Sequence, residues 1–170
     1  MHETPTDLEN LQALLDRSYA GAGSHLLSII EPARRPSAAE LARRLRGMRL
    51  LALATVSAAG RPLVGPVDGV FFRGSFVFGT SPRAVRWRHV LARPWVSATH
   101  LPAEEFAVTV HGRAVPVATD PVDGAELRAA LLGVYVPRYG EEWAEFLDSE
   151  PVYARIEAER MFAFRMGGEG

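Results

Sequence analysis

The chain has 170 residues, which fits one ordinary domain with a full core, and 48% of them are hydrophobic. Its formal net charge of -1 provides no global basic field for nucleic acid or an anionic membrane, so any anion site must be local. With no cysteine, disulfides, thiolate zinc sites, iron–sulfur clusters and thiol catalysis are excluded.

In chain order, residues 6–19 (TDLENLQALLDRSY) predict a helix with Leu8, Leu11, Leu14 and Leu15 on one stripe and Thr6 or Asp7 as its cap. The Leu26-Leu27-Ile29-Ile30 cluster that follows fits a short helix or an extended arm, and Pro32 and Pro36 separate it from the next element. Ser37-Ala38-Ala39-Glu40 reads as a capping box that starts a helix through about Arg46, stopped by Gly47. From Arg49 the period changes to alternation. Three strands with tight glycine-bearing turns follow, RLLALATVSA, PLVGPVDGVFF and FVFGT. Gly65, Pro66 and Gly69 inside the second strand demand a bulge, an edge, or close approach of something to the backbone.

A helix over about 82–92 comes next, then the strand PWVSATHL and the long strand FAVTVHGRAVPVA, where Gly112 marks a bend or barrel corner. A helix led by Asp120 and Pro121 precedes a shorter one carrying Trp143, Phe146 and Leu147 on one side. PVYARIEAERMFAFRM reads as a strand pair or one long bent strand, with GGEG as a frayed tail. Hairpin-length links between the strands predict a mainly antiparallel sheet, hence an α+β fold with a closed or half-closed barrel flanked by helices. No run approaches the length of a membrane span, and the N-terminus lacks an apolar signal core, so a soluble cytoplasmic protein is expected.

The charge is concentrated in one place. FVFGTSPRAVRWRHVLAR puts four arginines and a histidine at and beyond a Thr-Ser-Pro turn. All 19 basic residues of the chain are arginine, planar forks suited to phosphate or carboxylate, and no lysine is available as a Schiff base. With Ser81 as N-cap and Pro82 as the first helical residue, the helix start presents free N–H groups, and Thr80 and Ser81 add hydroxyls. Arg83 and Arg86, three apart, share a face one turn into that helix. The arrangement suits a terminal phosphate and not a polyphosphate, because no Walker-type glycine loop with lysine is present. The bland alternative is a capped surface helix with solvated arginines, which is how Arg88 and Arg93 read.

LALATVSAAGRPLVGPVDGVFF, FVFGTSPRAVRWRHVLARPWVSAT, FAVTVHGRAVPV and the ending YARIEAERMFAF resemble, in that order, the strands of the pyridoxamine 5'-phosphate oxidase-like, FMN-binding split-barrel family. The resemblance implies a six-stranded split β-barrel over residues 48–170 with residues 1–47 as a helical extension packed on it. It implies an FMN-dependent oxidoreductase acting on a small molecule, working as a homodimer with the cofactor cleft at the subunit interface. Thr80 and Ser81 would hold the cofactor phosphate, Arg86 would grip it and Arg83 assist, and Val64, Gly65, Pro66 and Val67 would pass along the isoalloxazine ring. A deazaflavin (coenzyme F-420) reductase is the close alternative, with Arg61, Arg73 and Arg88 available to its longer acidic tail; a flavin-binding protein without catalysis is the other. The chain departs from true pyridoxamine-phosphate oxidases in lacking their basic C-terminal segment, since MFAFRMGGEG offers only Arg165, which argues against a role in pyridoxine biosynthesis.

No residue stands out as a general acid or base. His89, His100 and His111 are too far apart in sequence for a metal spacing, so no metal site is expected. His100 reads as a strand-end histidine or as a pocket-lining one, and Trp87, Trp95 and Trp143 as core or interface aromatics.

Overall fold

The computed structural model describes residues 2–149 and 151–166. The glycine-rich tail read above as frayed lies, at 167–170, outside the described residues. The elements are α1 (Pro5–Ala20), α2 (Ser24–Ile29), a 3-10 turn (Pro32–Arg34), α3 (Ala38–Arg44), β1 (Met48–Val56), β2 (Pro62–Phe72), β3 (Ser75–Thr80), α4 (Val85–Ala92), β4 (Trp95–Ala103), β5 (Phe106–Val117), α5 (Ala125–Tyr139), α6 (Glu142–Ser149) and β6 (Val152–Arg165). All strand pairs are antiparallel, and they close into a barrel of order β1-β2-β3-β6-β5-β4. The α+β split-barrel architecture expected from the sequence is therefore present.

Alternation along the strands sorts side chains to the two faces of this barrel. Leu51, Leu53, Val67, Phe71, Phe76, Phe78, Val108, Val110, Ala154 and Ile156 fill the interior. Leu11, Leu14, Leu15 and Tyr19 of α1 and Leu41 and Leu45 at α3 join that same core. A second core lies outside the wall, where Val70, Val77 and Tyr153 of β2, β3 and β6 pack against Leu127, Leu131, Tyr135 and Leu147 of α5 and α6. Those two helices thus sit on the outer face of the sheet.

The last element is one long strand. Its first part pairs with β3 (Val77↔Arg155 to Thr80↔Val152), while its whole length follows β5. The register steps between His111↔Arg160 and Gly112↔Ala158, so Glu159 is the extra residue of a bulge, which is the corner anticipated at Gly112. Beyond the stretch paired to β3, the second edge of β6 meets α1 instead of a strand. Ser18 Oγ accepts from Met161 N–H at 3.0 Å, and Tyr19 OH accepts from Ala163 N–H at 3.0 Å while donating to the Ala163 carbonyl.

Four local expectations are corrected. The cap of α1 is Thr4, not Thr6 or Asp7; Asp7 is the third helical residue, whose carboxylate closes a capping box back onto Thr4, with Pro5 at the helix start. Ser37 caps α3 as expected, but Glu40 turns its carboxylate to Arg44 (3.0 Å) and Arg165 (3.1 Å). Asp120 caps the turn before α5 rather than the helix, accepting from Val122 and Asp123 N–H at 2.8 Å each. The fourth concerns the arginine-rich helix. It begins at Val85, because Pro82 and Arg83 form a turn closed by Ala84 N–H to the Ser81 carbonyl (3.0 Å), and Ala84 is extended (φ -66, ψ 143). Proline's fixed φ suits the second position of a β-turn as well as the first position of a helix. The undecided Leu26–Ile30 cluster resolves as α2.

Candidate functional site

The revised start of α4 changes what the Thr80–Ser81 turn offers. Ser81 Oγ accepts from Arg83 N–H at 3.2 Å, so it orders the turn and not the helix. No side chain caps α4. Its first N–H groups, with the positive end of its dipole, are left to another acceptor. Arg83 lies in the turn, so the shared helical face with Arg86 that the spacing suggested does not exist.

Arg86, on the first turn of α4, reaches back to β2. Its Nη1 donates to the Pro66 carbonyl at 2.6 Å, and a Cβ placed on Gly65 would stand 3.3 Å from Nη2. Glycine at 65 is what lets the guanidinium lie against the strand. The remaining donors of its fork have no hydrogen-bond partner among the described residues. The open start of α4 and the Gly65-Pro66 irregularity are thus joined by one side chain, across the twenty residues between Pro66 and Arg86. Val64, at 70% exposure, and Pro66 lie on the outer face of the sheet beside Leu50 and Leu101, and Val67 points into the core. An arginine fork with spare donors, two hydroxyls and an uncapped helix start, beside flat apolar surface, are a donor set that suits an anion.

Other arginines are spoken for. Arg73 pairs with Asp7 (3.2 Å) and Glu126 (2.7 Å), which removes it from the set imagined for an F-420 tail. Arg93 donates to the Val56 carbonyl at 2.9 Å and so fixes the end of α4 to β1.

Sequence reasoning missed the residues that face Thr80 and Ser81 across a cavity of about 250 Å³. These are Asp68, Trp143, Phe146, Pro151 and Tyr153. A second opening of about 460 Å³ shares Asp68, Trp143 and Phe146 and adds Tyr139, Pro66 and Val67. Trp143 stacks on Tyr135 (centroids 4.4 Å apart, planes 11° apart), and Tyr135 in turn on Tyr139. Tyr135 OH donates to Asp68 Oδ2 at 2.7 Å. Burial, followed by the Asp68 carboxylate, holds the phenols of Tyr135 and Tyr153 well above the ordinary tyrosine range, so both stay protonated. The visible signal was Asp68 itself, a lone charge in the apolar run PVDGVFF; its partner 67 residues away had none.

The histidines do not join the site. His89 hydrogen-bonds Thr55 at 3.0 Å, and His111 bonds Ser97 at 2.8 Å. His100, which the sequence left open as pocket-lining, is buried beside Phe106, with Nδ1 2.9 Å from the Leu50 carbonyl. Burial pushes its imidazole below the usual 6.5; the Leu50 contact opposes this and Arg49 adds to it. The folded state therefore holds His100 neutral while the unfolded chain takes up its proton near 6.5. Its stability is complete above that pH and is lost as pH falls towards the lower folded value. We expect the Tm to drop between about pH 7.5 and about pH 5, and His100→Gln, which keeps a donor for Leu50, to flatten that drop. Equal slopes in parent and variant would remove His100 as the cause. Among the described residues no group of three His, Asp or Glu side chains is placed to hold a metal ion, and no helix is long and apolar enough to cross a membrane.

Comparison with known proteins bears on the same region. The family described as pyridoxamine 5'-phosphate oxidase matches residues 37–163. Among curated proteins there is no match. A conserved hypothetical protein from Mycobacterium tuberculosis, Rv2991, superposes with a TM-score of 0.65 at 18% identity, over 83% of this chain and 97% of that one. HutZ, the heme storage protein from Vibrio cholerae, gives 0.58 at 23%, over 80% and 94%. An FAD-binding protein from Mesorhizobium loti gives 0.50 at 19%, over 68% and 82%. At these identities the likeness is one of fold.

Proposed function

The chain belongs to the pyridoxamine 5'-phosphate oxidase family, and from that membership we propose that it is an FMN-dependent oxidoreductase acting on a small molecule other than a pyridoxine precursor. One observation carries the reading: Arg86, on the first turn of the uncapped helix that follows the Thr80–Ser81 turn, reaches back to the Pro66 carbonyl on the strand that would line a flavin ring. Thr80, Ser81, Arg83, Arg86 and the open start of α4 bind the phosphate. Val64, Gly65 and Pro66 supply the wall for the ring, and Val67, whose side chain points into the core, offers only its backbone to the ring's polar edge. Bound flavin supplies the hydride or electron transfer, and the protein supplies anchoring, orientation and a sheltered pocket. Related folds described as heme-storing and FAD-binding show that the barrel alone does not choose the ligand. The choice rests on the donors.

The cleft is completed by a second copy. Leu50 (63% exposed), Val64 (70%) and Leu101 (64%) form one outward patch on β1, β2 and β4, where Ala52 pairs with both Pro66 and Thr99. Such a patch beside the ring strand suits burial against its own twin. Sedimentation is expected to give a dimer; a strict monomer that still holds flavin would sink the shared cleft.

The direct test is mass spectrometry of the ligand released from purified protein, with titration of the stripped chain by FMN and by F-420 in parallel. FMN at one per chain, reduced by NAD(P)H, is the expected result. Preference for F-420 moves the protein to the deazaflavin branch, flavin that is bound but never turned over makes it a binder, and no binding of either refutes the reading.

A further inference from the structure

The cavity opposite the Thr80–Ser81 turn has the wrong charge for a phosphate. Asp68 projects into it from β2, and no arginine pairs with Asp68 among the described residues. Tyr135 OH holds Oδ2, while Oδ1 has no hydrogen-bond partner among the described residues. A dianion there would meet a carboxylate at close range, so the flavin phosphate belongs on the Arg86 side of the turn. The other walls are aromatic: Trp143 and Phe146 line both openings, Tyr139 one and Tyr153 the other. Trp143 is fixed by its stacking on Tyr135, so the side chain that orients the carboxylate also positions the indole.

Asp68 is the one charged group lining this cavity among the described residues, and a carboxylate beside aromatic groups is the chemistry that selects an organic cation, through ion pairing at one end and cation–π contact on the faces. We propose that the Asp68–Trp143–Phe146 cavity binds a cationic ligand, an amine or quaternary ammonium carried on a flat or apolar body. Because Asp68 and Pro66 border the same opening, this ligand is the substrate class of the enzyme; that assignment rests on the proposed flavin site, whereas the cation selectivity does not. Tyr135 acts here as a positioning residue, keeping Oδ1 turned to the ligand.

The test uses three small probes on the full chain by isothermal titration calorimetry: benzyltrimethylammonium, neutral benzyl alcohol, and phenylacetate. The expected order is cation first, alcohol second, anion last, with the cation weakened by added salt. Asp68→Asn keeps an oxygen to accept from Tyr135 OH, so its Tm should hold, while cation affinity falls tenfold or more and alcohol affinity is unchanged. Tyr135→Phe should weaken the cation by a smaller factor. Phenylacetate binding as tightly as the cation, or Asp68→Asn binding the cation like the parent, overturns the proposal. FMN titrated into the same two proteins separates the two readings. Cation selectivity without FMN binding leaves this site standing and removes the flavin; FMN binding without cation selectivity does the reverse.

Discussion

Gly112→Ala is expected to destabilise the fold by about 3 kcal/mol, lowering the Tm by roughly 6–12 °C for a chain of this size. A Cβ at Gly112 would stand 2.1 Å from the Glu157 carbonyl oxygen, 2.9 Å from its carbon and 3.0 Å from the Ala158 Cα. All three are backbone atoms, so no side chain can swing aside. The strands could separate only by breaking the longest ladder in the molecule, the one between β5 and β6, at the Glu159 bulge where its register already steps. A loss of this size is a large share of the about 5–15 kcal/mol by which domains are stable, so poor expression is part of the expectation. Gly133→Ala is the matched control: it lies within α5, nothing stands within 4 Å of its Cβ position, and it should be neutral or slightly stabilising. A Gly112→Ala protein that melts like the parent would mean that the bulge is not held as described.

Arg86→Ala is expected to weaken FMN binding by about 10- to 100-fold, the range for removing one charge-assisted contact. The structure gives Arg86 two jobs, a clip to the Pro66 carbonyl and a fork with spare donors, and the variant separates them. If the residue only clips β2 to α4, the Tm falls and FMN affinity does not. If it grips phosphate, affinity falls and the remaining binding becomes less sensitive to salt, because one cation fewer is involved. Arg86→Lys should fall between, retaining charge without the planar pair of donors. Unchanged FMN affinity in Arg86→Ala would end the phosphate assignment.

Much of this was legible in the chain. Alternation and glycine turns define β1–β3 as a meander, because hairpin partners are neighbours in sequence and their faces are marked by every second residue. The closure was less so. β3 meets β6 across seventy residues, and nothing local in FVFGT names that partner. The start of α4 was misplaced because Ser-Pro has two readings, and only the extended Ala84 decides between them. That misplacement had a consequence for the site. Spacing put Arg83 and Arg86 on one helical face, whereas the chain uses Arg86 alone to reach Gly65 and Pro66. The aromatic cavity was invisible for the same reason as the closure. Asp68, Tyr135 and Trp143 come from three elements and are neighbours only once α5 and α6 lie on the sheet.

The side chains of α1 along β6 bear on more than local bonding. A strand with one unmatched edge is a template on which another chain can lay its own backbone, and barrels that do not close along their full length carry such a template. Here Ser18 and Tyr19 occupy the hydrogen-bonding positions of Met161 and Ala163 that an intruding strand would need, and the leucines beneath them anchor the helix in the core. The opening helix therefore works as a selvedge, so that the dimer proposed through the face around Leu50 and Val64 would meet without fusing its sheets.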